Sequence, residues 1–287
     1  MTRSVINGSV VVGVDGSHHS DAAIEWAARH AQEHRRPLTI VHAAGSIARA
    51  NTLVDPAVTR QSLRMAGRRI TDAALGAVQK IAPDLEVSVH MPLAEPRDVL
   101  LEAAEHASVV VLGSRGRGSI ATFLLGSISV GVSSHAPCPV VVVRSVPEGG
   151  HVVVGVDGTE ATSAALEFAF DTASWQHRRL DVVHTWGGEG PYPALLTYEQ
   201  RHELMAEHEL RVAESLAGFA EKYPDVEVAQ YIVENEPAKA LVAASEKAAL
   251  VVVGSRGRGD AASVLLGSVS RSVVEHARCS VAVVRRH

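Results

Sequence analysis

Residues Val109 to Ser127 read VVVLGSRGRGSIATFLLGS: four apolar residues, glycines at 113, 116 and 118, an apolar segment, and a closing Gly126-Ser127 pair. Glycines so placed let a backbone turn tightly, reach positive φ and approach a ligand with no Cβ in the way. The amides gathered in such a loop form an anion-binding nest, and a helix opening at Ser127 adds its free N-terminal amides and positive dipole end. That is the chemistry of a phosphate cradle. Hydroxyls on Ser127 and Ser129 offer hydrogen bonds to phosphate oxygens, and Arg115 and Arg117 offer charge-assisted ones; Ser114, Gly118 and Ile128 complete the segment. The arrangement returns at Leu250 to Ser268 as LVVVGSRGRGDAASVLLGS, with Gly254, Ser255, Arg256, Gly257, Arg258 and Gly259 in the loop and Gly267, Ser268, Val269 and Ser270 at the helix start. One such loop reads equally well as a plain connection with solvated arginines. Its repetition argues for a cradle.

Other phosphate motifs fit less well. A Walker A loop needs Lys and then Ser or Thr after its second glycine, whereas Gly118 is followed by Ser119-Ile120. A dinucleotide fingerprint needs its glycines after the first strand and an acid near the end of the second; the chain offers Gly13-Val14-Asp15 and then Val41-His42. Neither P-loop hydrolysis nor NAD binding is expected.

The elements that must position these loops follow from apolar periodicity. Val10-Val11-Val12-Gly13-Val14-Asp15 is too continuous for a half-exposed strand and implies a sheet covered on both faces. Ser17 or Ser20 can cap the next helix, in which Ala23, Ile24, Ala27, Ala28 and Ala31 recur at helical spacing. Further elements are expected at Leu38 to His42 (strand), Ala57 to Ile81 (helix), Glu86 to His90 (strand), near Pro96 (helix), Val109 to Leu112 (strand), from Ser127 (helix) and Val140 to Val143 (strand). Residues 43 to 56 read as a loop. From Val152 the order restarts: VVVGVDGSHHSDAAIEWA at 10 to 27 is matched by VVVGVDGTEATSAALEFA at 152 to 169. A period of about 141 residues is a domain duplication, with boundaries placed at 1–147 and 148–287. Each half is expected to be an α/β unit, an open parallel five-stranded sheet flanked by helices, Rossmann-like. In such sheets ligands bind at the carboxyl ends of strands where strand order reverses. Gly13 and Asp15, His42 and Gly113 all fall at strand ends, as do Gly155 and Asp157, His184 and Gly254 in the second half.

Bulk properties set limits. The chain of 287 residues is 46% hydrophobic and 21% charged, with net charge −5 and no long Lys/Arg run, which argues against nucleic acid and anionic membranes as partners. No apolar run approaches the roughly 18 residues that span a bilayer, and the N-terminus has no signal-peptide pattern, so the expected address is the cytoplasm. The two cysteines, Cys138 and Cys279, sit at matching repeat positions beside apolar strands and read as small buried hydrophobes.

The spacing Gly113-x-x-Gly116, nine residues, Gly126-Ser127, repeated as Gly254-x-x-Gly257, nine residues, Gly267-Ser268, resembles the G-2x-G-9x-G-(S/T) signature of ATP-binding universal stress proteins. The VVGVDGS opening and HAPCPVVVVR ending match the same family, so the resemblance covers nearly the whole chain as a tandem pair, the two-domain type common in actinobacteria. It implies that Asp15 and Asp157 approach the adenosine and that the backbone of Val41 and Val183 meets adenine. It further implies that the glycine loops and following Gly-Ser segments hold ribose and phosphates. A carboxylate at Asp15 suits ribose hydroxyls better than phosphates, since two anions repel; capping of the next helix is its other reading.

Two departures stand out. Asp260 replaces Ser119, placing a carboxylate beside the second cradle, where it either weakens anion binding or helps hold a divalent cation such as Mg, so the two sites need not be equal. Ala94 and Asn235 stand where many family members have a glycine. His42 and His184 read as structural hydrogen-bonding residues, and no His/Cys cluster has zinc spacing. The expected function is an ATP-binding stress-response regulator that acts through nucleotide-dependent conformation or partners, with little hydrolysis and no assigned catalytic residue. A slow ATP-hydrolysing enzyme and a nucleotide-free interaction module are the alternatives. The apolar fifth strands are expected to pair edge to edge within the chain as a pseudo-dimer, with a homodimer of chains a further option. The divergent loops at 45–56 and 186–198 are expected either to cover the crevice or to meet a partner through Trp186, Tyr192 and Tyr198.

Overall fold

The computed structural model describes residues 6–45, 56–116, 125–144, 150–159, 161–187, 197–257 and 266–285. The chain divides into two units, Met1–Arg144 and Ser145–His287.

The first unit runs β1 (Val10–Gly13), α1 (His18–Glu33), β2 (Leu38–Val41), α2 (Pro56–Ile81), β3 (Val87–His90), α3 (Pro96–Ala104), β4 (Val109–Gly113), α4 (Ser127–His135) and β5 (Val140–Val143). Its strands are all parallel in the order β3-β2-β1-β4-β5. Strand order reverses between β1 and β4, which stay paired as far as Gly13 and Leu112, and a crevice is expected outside their carboxyl ends, where the connections part. Val10, Val11 and Val12 are fully buried, as expected of a strand covered on both faces. The core beneath the crevice joins Val11, Val41, Leu100, Leu112, Val132 and Cys138. Cys138 and its twin Cys279 are buried and not joined in a disulfide.

The second unit repeats the pattern: β6 (His151–Val156), α5 (Ala161–Trp175), β7 (Leu180–Gly187), α6 (Tyr198–Leu216), α7 (Phe219–Lys222), β8 (Val228–Asn235), α8 (Pro237–Ala244), β9 (Ala248–Gly254), α9 (Ser268–His276) and β10 (Ser280–Val284). Its strand order, β10-β9-β6-β7-β8, is that of the first unit, again all parallel. Two differences matter. β7 continues well past the point where β2 stops, pairing with β8 as far as Trp186 with Glu234 and Gly187 with Asn235. Trp186 is therefore a strand residue rather than part of a loop, and at 7% exposure it cannot serve as the surface anchor the sequence suggests. The helix after β7 starts at a capping box in which Thr197 and Gln200 satisfy each other's backbone amides, and a left-handed Gly218 separates α6 from α7. Tyr198 is exposed, and Tyr192 lies outside the described residues. Among the described residues no helix is long and apolar enough to cross a membrane.

Candidate functional site

The glycine loops stand where they do because their strands end in glycine. A Cβ built on Gly113 would lie 2.6 Å from the His19 carbonyl oxygen and 2.7 Å from its carbon, so β4 can end against the start of α1 only without a side chain there. A Cβ on Gly116 would meet Asp15 Oδ2 at 2.7 Å. Positive φ belongs to Gly16 and Gly158, at 74° and 73°, and not to the described glycines of the two loops. The sequence reading of Gly113 and Gly116 as positive-φ positions is thus corrected: close approach, not backbone sign, requires glycine there. Gly16 and Gly158 turn the chain just after the aspartates. That turn is closed by Asp15 Oδ1, which accepts from the Ser17 amide at 2.9 Å. In the second unit Asp157 Oδ1 accepts from the Thr159 amide at 2.9 Å, the Thr159 hydroxyl at 2.6 Å and the Thr162 hydroxyl.

The serines do other work than expected. Ser17 occupies the N-cap of α1, but its side chain makes no cap bond and instead donates to the Arg115 carbonyl at 3.4 Å, while Ser20 donates to Ser17 O at 2.7 Å. Ser129 donates its hydroxyl proton to Gly113 O at 2.8 Å, and Ser270 donates to Gly254 O at 2.5 Å, so both staple helix to strand rather than holding that proton for a ligand. The Gly126 amide donates to Ser114 O at 2.9 Å, and the Gly267 amide to Ser255 O at 2.8 Å, which draws the two ends of each loop together. Ser114 and Ser255 lie behind the wall, buried, their own amides bonded to Val143 O and Val284 O.

What remains open is the start of α4. Its N-cap is Gly126, with no side-chain cap, and the first helical bond comes from the Val130 amide to Gly126 O; α9 opens in the same way at Gly267. First-turn amides of a helix so capped present donors and a positive dipole end to whatever lies in front.

In front lies a cavity of about 510 Å³. Gly13, Asp15, Val41, Gly113, Arg115, Gly116, Gly126, Ser127, Ile128 and Ser129, all expected, line it, joined by Ala43, Pro96, Leu100, Leu112 and Leu125. The Val41 carbonyl accepts from the Val14 amide at 2.9 Å. A second cavity of about 430 Å³ is lined by Gly155, Asp157, Val183, Gly254, Arg256, Gly257, Gly267, Ser268, Val269 and Ser270. Arg117, Gly118, Arg258, Gly259 and Asp260 lie outside the described residues. Beside the first cavity His19 is held below the usual histidine range, first by burial, then by Arg115 and His18, with Asp15 opposing.

A model of the universal stress protein family matches residues 7–144 and again 150–285. The chain belongs to the universal stress protein family. A universal stress protein of Mycobacterium tuberculosis is 40% identical over 291 residues, covering 96% of this chain and 97% of that protein; a second from the same organism is 37% identical over 296 residues, covering 96% of each. One from Mycolicibacterium smegmatis is 35% identical over 300 residues, covering 99% of both chains. In fold, the chain is similar to the crystal structure of a universal stress protein from Archaeoglobus fulgidus, with a TM-score of 0.71 at 22% identity over 97% of this chain and 98% of that one.

The two universal stress protein units are not copies at the site. His42 Nδ1 bonds the Val14 carbonyl and His184 Nδ1 the Val156 carbonyl, each at 2.8 Å, which is the structural role the sequence suggests. Only the second cavity reaches its histidine: His184, Thr185, Trp186 and His208 form a wall of it, and Asn235 and Thr162 add polar groups. The sequence reading missed His208 and misplaced Trp186. A signal was present in the divergence of the two halves after the second strand, where Trp186 stands against Ala44.

Proposed function

We propose that each unit binds an adenine nucleotide, ATP foremost, and that occupancy rather than turnover is what the protein signals as a stress-response regulator. The observation that carries this reading is the pairing, in each cavity, of a helix N-terminus without a side-chain cap with a glycine loop and an aspartate braced in its own turn. The first-turn amides of α4 and α9 suit phosphate oxygens. Asp15 and Asp157, each with Oδ1 committed to its own turn, suit ribose hydroxyls rather than phosphate. The apolar walls, with Val41, Ala43, Leu100 and Leu112 in the first cavity and Val183, Leu241 and Val253 in the second, suit a base. Volumes of 430 to 510 Å³ lie within the roughly 300–1,000 Å³ of ligand pockets in general. Each cavity lining contributes one carboxylate, too few for an all-protein cation cage, so Mg would be carried with the phosphates. The relatives in mycobacteria place the chain in a stress-protein family, and first-turn amides beside a braced carboxylate suit binding.

The test is calorimetric titration of the purified chain with ATP, together with identification of any nucleotide released on denaturation. Up to two ATP per chain and copurifying adenine nucleotide are expected. No adenine nucleotide and no measurable ATP binding would leave only the interaction-module reading. Conversion of ATP to ADP or AMP followed over time measures turnover, expected to be negligible beside occupancy.

A further inference from the structure

The wall that distinguishes the second cavity holds two histidines in contact. His184 Nε2 and His208 Nδ1 are 2.8 Å apart, with the ring centroids 4.9 Å apart. In the first unit Gly67 on α2 stands over His42 instead: a Cβ there would fall 3.1 Å from His42 Cδ2 and 2.6 Å from Met91 Sδ. The bonding of the pair fixes its protons. The Val156 carbonyl can only accept, so His184 Nδ1 carries hydrogen and, in the neutral ring, His184 Nε2 accepts. His208 Nδ1 must then donate, which leaves the far nitrogen of His208 as the position where one added proton can go. A second added proton would set two N–H groups against each other across 2.8 Å, so the pair holds either no charge or one.

The surrounding charges are largely committed. Arg201 sits 5.9 Å over the Trp186 ring and is ion-paired with Glu234 on β8, and Trp186 is stacked on His208 at 5.9 Å. Asp157 and Arg256, of opposite sign, line the same cavity. The histidine pair is thus the group through which the cavity can gain positive charge near neutrality.

We propose that His208 is a ligand-binding residue of the second cavity, and that the His184–His208 pair takes up one proton when a nucleotide polyanion binds, so that the second site tightens on acidification through a pair the first site lacks. This rests on the nucleotide-binding reading above. Linkage makes the effect reciprocal: whatever factor protonation adds to ATP affinity, ATP adds to proton affinity.

ATP titration of the full chain from about pH 8 to pH 5.5, across the usual histidine range, in two buffers of different ionisation heat, separates proton uptake from binding. Expected for the native chain is a roughly tenfold gain in affinity at one of two sites, about 1.4 kcal/mol, with a proton taken up there. His208→Gln, which keeps a donor toward His184 but cannot hold the charge, is expected to bind ATP with that gain and uptake lost; His208→Gly, the residue the first unit carries, serves as the second variant should the glutamine disturb folding. His19 near the first cavity is common to all three chains and cancels in the comparison. ATP binding with unchanged pH dependence in both variants overturns the role of His208, as does native binding without proton uptake. Failure of the native chain to bind ATP at either site overturns the parent reading, a separate outcome.

Discussion

Gly116 and Gly257 occupy the same place in the two loops, yet replacing each by alanine should have unequal effects. At Gly116 the new Cβ would stand 2.7 Å from Asp15 Oδ2, and reaching ordinary contact at 3.4 Å requires the carboxylate to move by about 0.7 Å. Asp15 cannot make that move freely, because its Oδ1 is bonded to the Ser17 amide at 2.9 Å within the turn set by Gly16. Loss or weakening of a hydrogen bond to a charged acceptor is worth about 1.5–3 kcal/mol. If the aspartate meets the ligand as proposed, that converts to roughly ten- to hundredfold weaker ATP binding at the first site. At Gly257 the same Cβ lies 3.5 Å from Asp157 Oδ2, an ordinary contact, and Asp157 is braced by three donors. Gly257→Ala should therefore leave the second site within a few-fold of native affinity. Neither glycine has positive φ, so backbone strain does not confuse the comparison. Calorimetry on the two single variants reads each site against the other, with thermal unfolding as a control for folding. Equal losses from the two substitutions, or no loss from Gly116→Ala, would refute the argument.

Other substitutions test the frame. Gly113→Ala drives a Cβ into the His19 backbone and should destabilise the chain by about 1–3 kcal/mol or more in denaturant unfolding, since a helix backbone cannot rotate away as a side chain can. Ser129→Ala removes the staple to Gly113 O and should lower stability by about 1 kcal/mol while weakening ATP binding at the first site only. Phe170→Ala in α5 empties a fully buried position stacked on Phe219 and Tyr223 and should cost about 3–5 kcal/mol, read by the same unfolding assay. His19 has a folded pKa below its unfolded value, so it favours the fold while neutral and its contribution is lost as pH falls through the unfolded pKa of about 6.5 and below. His19→Asn should accordingly flatten the decline of stability on acidification, measured as melting temperature against pH.

Much of the fold is legible because a parallel sheet covered on both faces leaves uninterrupted runs such as Val10 to Val12 and Val140 to Val143, and because duplication doubles every signal. The strand ends that carry Asp15 and Gly113 followed from those runs. What the sequence could not show is which force keeps each glycine. Gly113 and Gly116 are held by what stands opposite them, His19 and Asp15, which are distant in sequence and met only after folding. The Ser129 hydroxyl is illegible for a related reason: its partner is a carbonyl sixteen residues earlier. His208 is not legible because its partner, His184, lies 24 residues earlier and its counterpart in the first half is Gly67, while Trp186 stands out in the sequence by its divergence but is drawn into the wall by the extension of β7 along β8.

The bond from the Gly126 amide to Ser114 O, with its twin between Gly267 and Ser255, has a consequence for how such a protein can diversify. Each clasp closes the loop at its base, against the strand and the helix start. Changing the length of a closed loop shifts its closure entropy only slowly. A change of length between the clasp partners is therefore cheap for the sheet, while Arg115, whose carbonyl accepts from Ser17, and Gly116, close against Asp15, stay tied to the site. The replacement of Ser119 by Asp260 between otherwise kindred loops falls within that span, past the two tied residues.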